Sequence, residues 1–275
     1  MNLIQLKKHN IKPNKRLGQN FLVSDVILEK IIKTSQIKPW DIILEIGPGT
    51  GILTTALAKK AKKVIAVEKD KKLADILKEE LDNNEIRNVE VINQDILDTK
   101  YKILNTGYKL IANLPYYITA PVIRMFLENP PANKSPKLMV LMVQKEVGQR
   151  ICANPPKMSK IAVFTQFYGK PEIVSNVSKE CFYPQPKVDS VILKIRPLNN
   201  LNKKIDKNLF SKIVRAGFSQ PRKQLINNLS KSLDIGKPEI EDWLKRNKIK
   251  SKQRAETLKI KDWINLTNTF YNKLL

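Results

Sequence analysis

Five short apolar runs alternate with helix-period segments over the first 145 residues, and this alternation constrains the fold more than any other feature. The runs cover residues 42–46, 64–67, 89–92, 110–112 and 138–143. Strands that alternate with helices predict an α/β fold, in which a mostly parallel sheet carries helices on both faces. Because ligands of such sheets bind at the carboxyl ends of the strands, the polar residues that follow these runs are the candidates for a site.

The N-terminal residues precede this pattern. Residues 1–20 predict a flexible basic arm, and residues 23–32 predict a helix with Ser24 as its N-cap.

The pattern changes again after residue 151. Residues 163–168 and 190–196 predict two further strands. Beyond Pro197 the chain becomes polar and helical, in segments that cover residues 209–218, 222–229, 240–248 and 260–274. We therefore expect a catalytic domain over residues 1–200 and a small all-helical domain over residues 201–275.

The net charge of the chain indicates which class of partner it binds. It has 50 Lys and Arg residues against 26 Asp and Glu, which is a formal net charge of +24. Such a charge favours nucleic acid as the partner, with a lysine-rich solvated surface as the alternative. No apolar run is long enough to span a bilayer, and no stretch joins a strong apolar face to a basic one, so no membrane role is expected.

Histidine and cysteine are scarce. His9 is the only histidine and lies in the basic arm, so neither a histidine general base nor a histidine-rich metal site is expected. Cys152 and Cys181 are far apart and have no metal-ligand spacing. We therefore expect no metal and no disulfide framework, and a reducing, cytoplasmic location.

A glycine-rich turn follows the first apolar run. Gly47, Gly49 and Gly51 permit a tight turn and a close approach of the backbone to a ligand. Glu68 ends the second run, where an acid can bind both hydroxyls of a ribose, and Asp95 follows the third, where it can reach an adenine amino group. The Gly-x-Gly-x-Gly spacing favours S-adenosylmethionine over a nicotinamide dinucleotide. The alternative is an ordinary strand-to-helix turn with incidental acids.

The tetrad Asn113-Leu114-Pro115-Tyr116 follows the fourth run. The Asn113 side-chain oxygen and the Leu114 carbonyl can both accept a hydrogen bond from an exocyclic amino group, and Pro115 fixes the backbone that directs them. Tyr116 offers a ring face on which a base can stack. Two acceptors draw the amino nitrogen toward tetrahedral geometry and free its lone pair, so rate arises from orientation and placed dipoles. The alternative is a proline-stiffened turn with a surface tyrosine.

Two further candidates lie later in the chain. Phe182 stands on a loop stiffened by prolines and could clamp the other face of a flipped base, unless it packs in the core. Arg222 and Lys223, at the start of a predicted helix, could hold phosphates, unless they form a solvated helix end.

Taken in order, eight stretches of the chain resemble the KsgA/RsmA-type ribosomal RNA adenine dimethyltransferases. They cover residues 17–22, 44–51, 68, 94–95, 113–118, 144–147, 182–190 and 218–229. The resemblance implies a class I, Rossmann-like methyltransferase with a small helical RNA-binding domain. It implies methylation at N6 of two adjacent adenosines in a hairpin loop near the 3′ end of small-subunit (16S) ribosomal RNA. S-adenosylmethionine would be the cofactor, S-adenosylhomocysteine the product and the 30S pre-ribosomal particle the partner of a monomer that acts in ribosome biogenesis.

The resemblance also implies site residues. The cofactor contacts would be Asn20, Leu22, Gly47, Gly49, Glu68, Asp95, Ile96 and Asn113. The target-base contacts would be Asn113, Leu114, Pro115, Tyr116 and Phe182. Because Asn20 and Leu22 belong to the N-terminal arm, the arm is expected to fold over the site.

The chain departs from the family pattern at two places. Met158-Ser159-Lys160 stands where Tyr-Gly-Arg is usual, and Pro221-Arg222 stands where two arginines are usual. Both departures are expected on the RNA side. Three alternatives stay open: a large-subunit (23S) adenine methyltransferase of the antibiotic-resistance type, a non-catalytic nucleic-acid-binding relative, and a nicotinamide-dependent reductase.

Overall fold

The computed structural model describes residues 11–14, 17–98, 107–130, 135–198 and 205–270. Predictions that concern His9 and the rest of residues 1–10 therefore lie outside the described residues. None of the described helices combines the length and the apolar character that crossing a bilayer requires.

The chain forms two compact units. The first comprises the described residues up to Gly148 together with Lys170–Pro197, and the second comprises Gln149–Gly169 and the described residues from Leu198 onward. The domain boundary expected near residue 200 lies close to Pro197, where the chain passes from the first unit to the second for the last time. The sequence placed residues 149–169 in the first domain, whereas they lie in the helical unit.

The strands are β1 (Phe21–Leu22), β2 (Ile42–Ile46), β3 (Lys63–Glu68), β4 (Val89–Asn93), β5 (Tyr108–Asn113), β6 (Leu138–Gln144), β7 (Gly169–Val177), β8 (Phe182–Tyr183) and β9 (Ser190–Pro197). The helices up to the first crossing are α1 (Asp25–Ser35), α2 (Ile52–Ala58), α3 (Lys71–Asn83), α4 (Thr119–Leu127) and α5 (Lys145–Ile151). All five predicted strands of the first 145 residues are present, so the prediction of an alternating α/β fold is confirmed.

The main sheet has the strand order β4-β3-β2-β5-β6-β9-β7. The five strands from β4 to β6 pair in parallel, and β9 pairs with β6 in antiparallel. Central parallel strands are buried on both faces, and this is why they are continuous apolar runs rather than alternating ones. The carboxyl ends of β2, β3, β4 and β5 consequently meet at one edge of the sheet.

A second, two-stranded sheet holds the N-terminal segment. β1 pairs with β8 in antiparallel, with Leu22 opposite Phe182 and Phe21 opposite Tyr183. Ser24 then caps α1 by accepting the Ile27 N–H (3.4 Å), which confirms the predicted cap. These contacts fix residues 21–27 against the first unit.

The second unit contains α6 (Lys160–Tyr168), α7 (Lys207–Gly217), α8 (Leu225–Leu233), α9 (Lys237–Arg246) and α10 (Ile260–Thr269). Its core includes two fully buried tryptophans, Trp243 and Trp263, and Phe167 stacks on Phe210 with ring centroids 3.7 Å apart. The predicted helical character of this region is confirmed over residues 207–269. The end of the last predicted helix, residues 271–274, lies outside the described residues.

The strand predicted over residues 163–168 is wrong, because these residues form the last part of α6. Ser159 caps this helix by accepting the Ala162 N–H (3.2 Å). The aromatic and β-branched residues that suggested a strand are buried on nearly all sides. A helix that is buried in this way lacks the periodic alternation of apolar and polar residues by which a sequence indicates a helix. Ser159 belongs to the first departure from the family pattern, and in this structure it serves as a helix cap.

The sequence also failed to predict β7. This strand lies at the edge of the main sheet and contains Pro171. Proline argues against a central strand, yet at a sheet edge its missing N–H removes no required hydrogen bond. The edge position, which the sequence does not reveal, explains why the residue is tolerated.

Candidate active site

A cleft opens at the carboxyl ends of the central strands, entirely within the first unit. It is lined by residues 17–22, 45–50, 67–69, 94–96 and 113–118. Its empty volume, with the open mouth included, is about 960 Å³. The predicted cofactor residues therefore come together at one place.

The glycine turn forms the floor of the cleft next to β2. Gly49 has φ +55°, and a Cβ atom there would lie 3.1 Å from the Phe21 ring. Gly51 has φ +77°, and a Cβ atom there would lie 2.5 Å from a methyl carbon of Leu77. Both demands favour glycine, because a side chain would be strained in this backbone conformation and would crowd these neighbours.

Glu68 ends β3 beside this turn. Its two carboxylate oxygens accept the N–H groups of Gly49 (3.1 Å) and Asp70 (2.8 Å). Burial raises the pKa of Glu68, while these hydrogen bonds act in the opposite direction. The carboxylate is thereby held in one orientation, and each oxygen keeps a lone pair with which it can accept a hydroxyl of a ribose.

Asp95 lies after β4 and is held by two donors. Lys69 Nζ lies 2.7 Å from one carboxylate oxygen, and the Leu97 N–H donates to the other at 2.9 Å. Burial by itself would raise the pKa of Asp95, but the hydrogen bonds from Lys69 and Leu97 outweigh it, so the pKa is lowered. Lys69 was not predicted, because nothing in the sequence distinguishes it from the other basic residues of this chain.

The N-terminal segment contributes to the same cleft. Asn20 and Leu22 both line it, as the resemblance implied. Gln19 Nε2 donates to an Asp70 carboxylate oxygen (2.9 Å), and this bond ties the segment to the start of α3. The described part of the arm is therefore packed against the site.

The tetrad follows β5 on the opposite side of the glycine turn. Asn113 Nδ2 donates to the Asn20 carbonyl oxygen (3.1 Å), so the Asn113 side-chain oxygen is the atom left to accept a hydrogen bond from a ligand. The Leu114 N–H donates to the Met142 carbonyl (3.2 Å), and the Ile118 N–H donates to the Pro115 carbonyl (3.1 Å). These bonds immobilise the backbone that carries the two expected acceptors.

Tyr116 is half-buried beside the tetrad acceptors. Its hydroxyl lies 3.0 Å from Ser190 Oγ, the first residue of β9. Burial raises the pKa of Tyr116, the Ser190 hydrogen bond lowers it, and Asp189 raises it through its charge. The hydroxyl therefore stays protonated, and the ring is held as a fixed face at the cleft.

Glu45 is a site residue that sequence reasoning missed. It lies in β2, lines the cleft and is only 1% exposed. Its Oε2 atom has no hydrogen-bond partner among the described residues. Burial raises the pKa of Glu45 to about 8, the neighbouring Thr54 hydroxyl opposes the shift, and the charge of Glu68 adds to it. The sequence did contain a signal for this residue, because Glu45 is an acid within an otherwise apolar strand.

Phe182 does not line the cleft in this structure. Its side chain is 4% exposed and belongs to the core cluster of the first unit. Because Phe182 pairs with Leu22 on a short strand, the alternation of side chains turns the next residue, Tyr183, outward instead. In this structure Phe182 therefore packs in the core, and its role as a base clamp stays a prediction.

Arg222 and Lys223 belong to the second unit, outside the cleft. Both are exposed in the turn that precedes α8, with the Lys223 N–H donating to the Gln220 carbonyl (3.0 Å). The helix begins at Leu225, so these residues lie just before it rather than within its first turn.

The polar groups that line the cleft fit an adenosine-containing cofactor. The cleft contains two fixed carboxylates, Glu68 and Asp95, and the turn that carries Gly47 and Gly49. Ile96 is buried next to Asp95 and supplies an apolar surface for a base. Among the described residues, no three His, Cys, Asp or Glu side chains are grouped as metal ligands.

Comparison with known proteins gives relatives over nearly the whole chain. A model of the ribosomal RNA adenine dimethylase family matches residues 10–272. The ribosomal RNA small subunit methyltransferase A of Dehalococcoides mccartyi is 43% identical over 262 residues, which cover 94% of this chain and 88% of the relative. That of Clostridium botulinum is 40% identical over 275 residues and covers 98% of both chains.

Two solved structures are similar in fold as well as in sequence. A dimethyladenosine transferase from Plasmodium falciparum superposes with a TM-score of 0.76 at 29% identity, over 91% of this chain and 97% of that one. The 23S rRNA methyltransferase ErmE gives a TM-score of 0.69 at 25% identity, over 90% and 98%. The family match and the close relatives lead to one conclusion: this chain belongs to the ribosomal RNA adenine dimethylase family.

Proposed function

We propose that this chain transfers methyl groups from S-adenosylmethionine to N6 of two adjacent adenosines in the 3′-terminal hairpin loop of 16S ribosomal RNA. The product is N6,N6-dimethyladenosine, made in the 30S pre-ribosomal particle during small-subunit biogenesis by a cytoplasmic monomer. The observation that carries the proposal is the pairing of a fixed adenosine site with the Asn113 and Leu114 acceptors in one cleft. Relatives named for the small subunit, at 40–43% identity, favour this RNA.

The cofactor side of the cleft would be formed by residues at four strand ends and in the N-terminal segment. Glu68 accepts the ribose hydroxyls, Asp95 accepts the adenine amino group, and Ile96 packs on the base. Gly47 and Gly49 let the backbone approach, while Asn20, Leu22 and Asn113 close the opposite side. When bound, S-adenosylmethionine supplies a methyl group on a positively charged sulfur, and S-adenosylhomocysteine is left.

The target side of the cleft would hold the amino group of an extruded adenosine. An adenine amino nitrogen is a poor nucleophile because its lone pair is delocalised into the ring. The Asn113 side-chain oxygen and the Leu114 carbonyl accept its two N–H groups, which turns the lone pair out of the ring plane. Tyr116 stacks on the base, and Pro115 keeps the backbone acceptor in place. Orientation and fixed dipoles supply the rate enhancement.

The proton of the methylated nitrogen needs no strong base. It becomes acidic only as the new carbon–nitrogen bond forms, and the Asn113 oxygen and the Leu114 carbonyl hydrogen-bond to it during that step. Water then takes the proton. After the first methylation one N–H remains, so one of the two acceptors holds the monomethylated amine for the second transfer while the methyl group replaces the other hydrogen bond.

We assign the affinity for RNA mainly to the positive net charge of the chain. The net charge of +24 favours binding to a polyanion with a steep salt dependence. Arg222 and Lys223, both exposed before α8, are proposed as phosphate contacts of the second unit. Pro221 stands between Gln220 and this pair, so the contact set differs from the usual double arginine.

The test is methylation of purified 30S and 50S particles with labelled S-adenosylmethionine, followed by mapping of dimethyladenosine. Label at two adjacent adenosines of the 3′-terminal hairpin of 16S RNA is expected. Label confined to 50S particles would support the 23S alternative and overturn the proposal. Absence of cofactor binding by calorimetry would support a non-catalytic relative instead.

A further inference from the structure

Tyr117 is an exposed aromatic residue at the mouth of the cleft. It belongs to the one-turn 3-10 helix Tyr116–Ile118 that directly follows Pro115. The three side chains of this turn differ in their surroundings. Tyr116 is half-buried with its hydroxyl next to Ser190, and Ile118 is buried in the core. Tyr117 alone is 53% exposed, although it lines the cleft.

The ring of Tyr117 has a defined position at this mouth. It packs against Gly18, where a Cβ atom would lie 3.4 Å from Tyr117 Cδ1. Gly18 has φ +61° and so presents bare backbone to the ring. The ring of Tyr117 is thus held against the N-terminal segment, in the cleft that Lys69 and Asp95 also line.

This placement offers a flat face directly after Tyr116 and three residues after Leu114, the second target acceptor. Tyr116 and Tyr117 are consecutive, so their Cα atoms are about 3.8 Å apart. The proposed substrate carries two adjacent adenosines, of which only one can occupy the acceptors at a time. Unstacked bases of single-stranded RNA are commonly held on aromatic side chains that remain exposed in the free protein.

We infer that the exposed face of Tyr117 is a second base subsite, which stacks the adenosine next to the one under methylation. This inference rests on the proposed function, because it requires a substrate with two neighbouring bases. Its consequence is that Tyr117 contributes to RNA binding and to modification of both adenosines. It should contribute little to cofactor binding.

The test compares Tyr117→Ala with Tyr117→Phe, which keeps the ring. Trp40→Ala is the matched control, since Trp40 is 69% exposed and precedes β2 at the opposite edge of the sheet. Tyr117→Ala should raise the KM for 30S particles by roughly 5- to 150-fold, the range expected for one lost base–aromatic stack. Tyr117→Phe and Trp40→Ala should stay near wild type, and all three should bind S-adenosylmethionine with an unchanged Kd.

A spectroscopic measurement separates stacking from a merely structural role. A hairpin RNA with 2-aminopurine at the second adenosine, bound in the presence of S-adenosylhomocysteine, should be quenched by wild type and Tyr117→Phe but not by Tyr117→Ala. A loss of S-adenosylmethionine affinity without a change in the KM for RNA would make the ring a cofactor cover and overturn the inference. Identical quenching by all variants would overturn it as well.

Failure of the inference and failure of the proposed function can be told apart. If the wild-type protein forms no dimethyladenosine in 30S particles, the proposed function falls. If wild type modifies both adenosines and Tyr117→Ala does so with the same KM, only the second base subsite falls.

Discussion

Replacement of Glu45 by Gln should stabilise the protein at neutral pH. Glu45 is buried in β2 with a pKa raised to about 8, against an ordinary value of 4.5. Between these two values the folded chain keeps the proton while the unfolded chain has lost it. The folded state therefore binds more protons, and the contribution of Glu45 to the free energy of unfolding falls as pH rises through this window.

The magnitude follows from the two pKa values. The loss is about 1.4 kcal/mol for each pH unit above the unfolded value. At pH 7 this amounts to roughly 3 kcal/mol, and it levels off near pH 8, where the folded carboxyl also ionises. Gln has the shape of the protonated acid and cannot ionise, so Glu45→Gln removes the pH-dependent term and keeps the packing.

The assay is urea unfolding of wild type and Glu45→Gln between pH 5 and pH 8. The difference in the free energy of unfolding should be small at pH 5 and should grow in favour of the variant toward pH 8. Glu79→Gln, at an exposed position of α3, is the control and should give a difference that does not change with pH. A Glu45→Gln difference that stays constant within about 0.5 kcal/mol over this range would refute the reasoning.

Three further predictions concern the site and the core. Asn113→Ala should largely abolish methyl transfer while RNA binding in a filter assay is retained, because the amino-orienting acceptor is lost; near-normal turnover would contradict the role. Glu68→Ala should mainly weaken S-adenosylmethionine binding by calorimetry, and an unchanged Kd would contradict the ribose assignment. Lys109→Met should destabilise the first unit by about 3–5 kcal/mol in urea unfolding, since it leaves the buried Asp41 carboxylate, 2.8 Å from Lys109 Nζ, without its cation. A loss below about 1 kcal/mol would show that Asp41 is solvated in the variant.

The parts of the site that follow strand ends were predictable. Each apolar run gives a strand, parallel strands end at one edge, and so Gly47, Glu68, Asp95 and Asn113 had to be near one another. The features that the sequence did not settle share one cause. Residues 163–168 form a helix and Phe182 packs in the core because of the faces that neighbouring elements cover.

The sequence by itself determined the order of the elements, the glycine positions and the identity of the chemical groups at each strand end. These depend on local backbone preferences and on the period of apolar residues, which act over a few residues along the chain. Only the tertiary structure decided that Lys69 pairs with Asp95, that Asn113 donates to Asn20 and that Glu45 is sealed from water. Hydrogen-bond partners and burial depend on contacts between segments far apart in sequence, and these contacts set the charge and orientation of every group in the cleft.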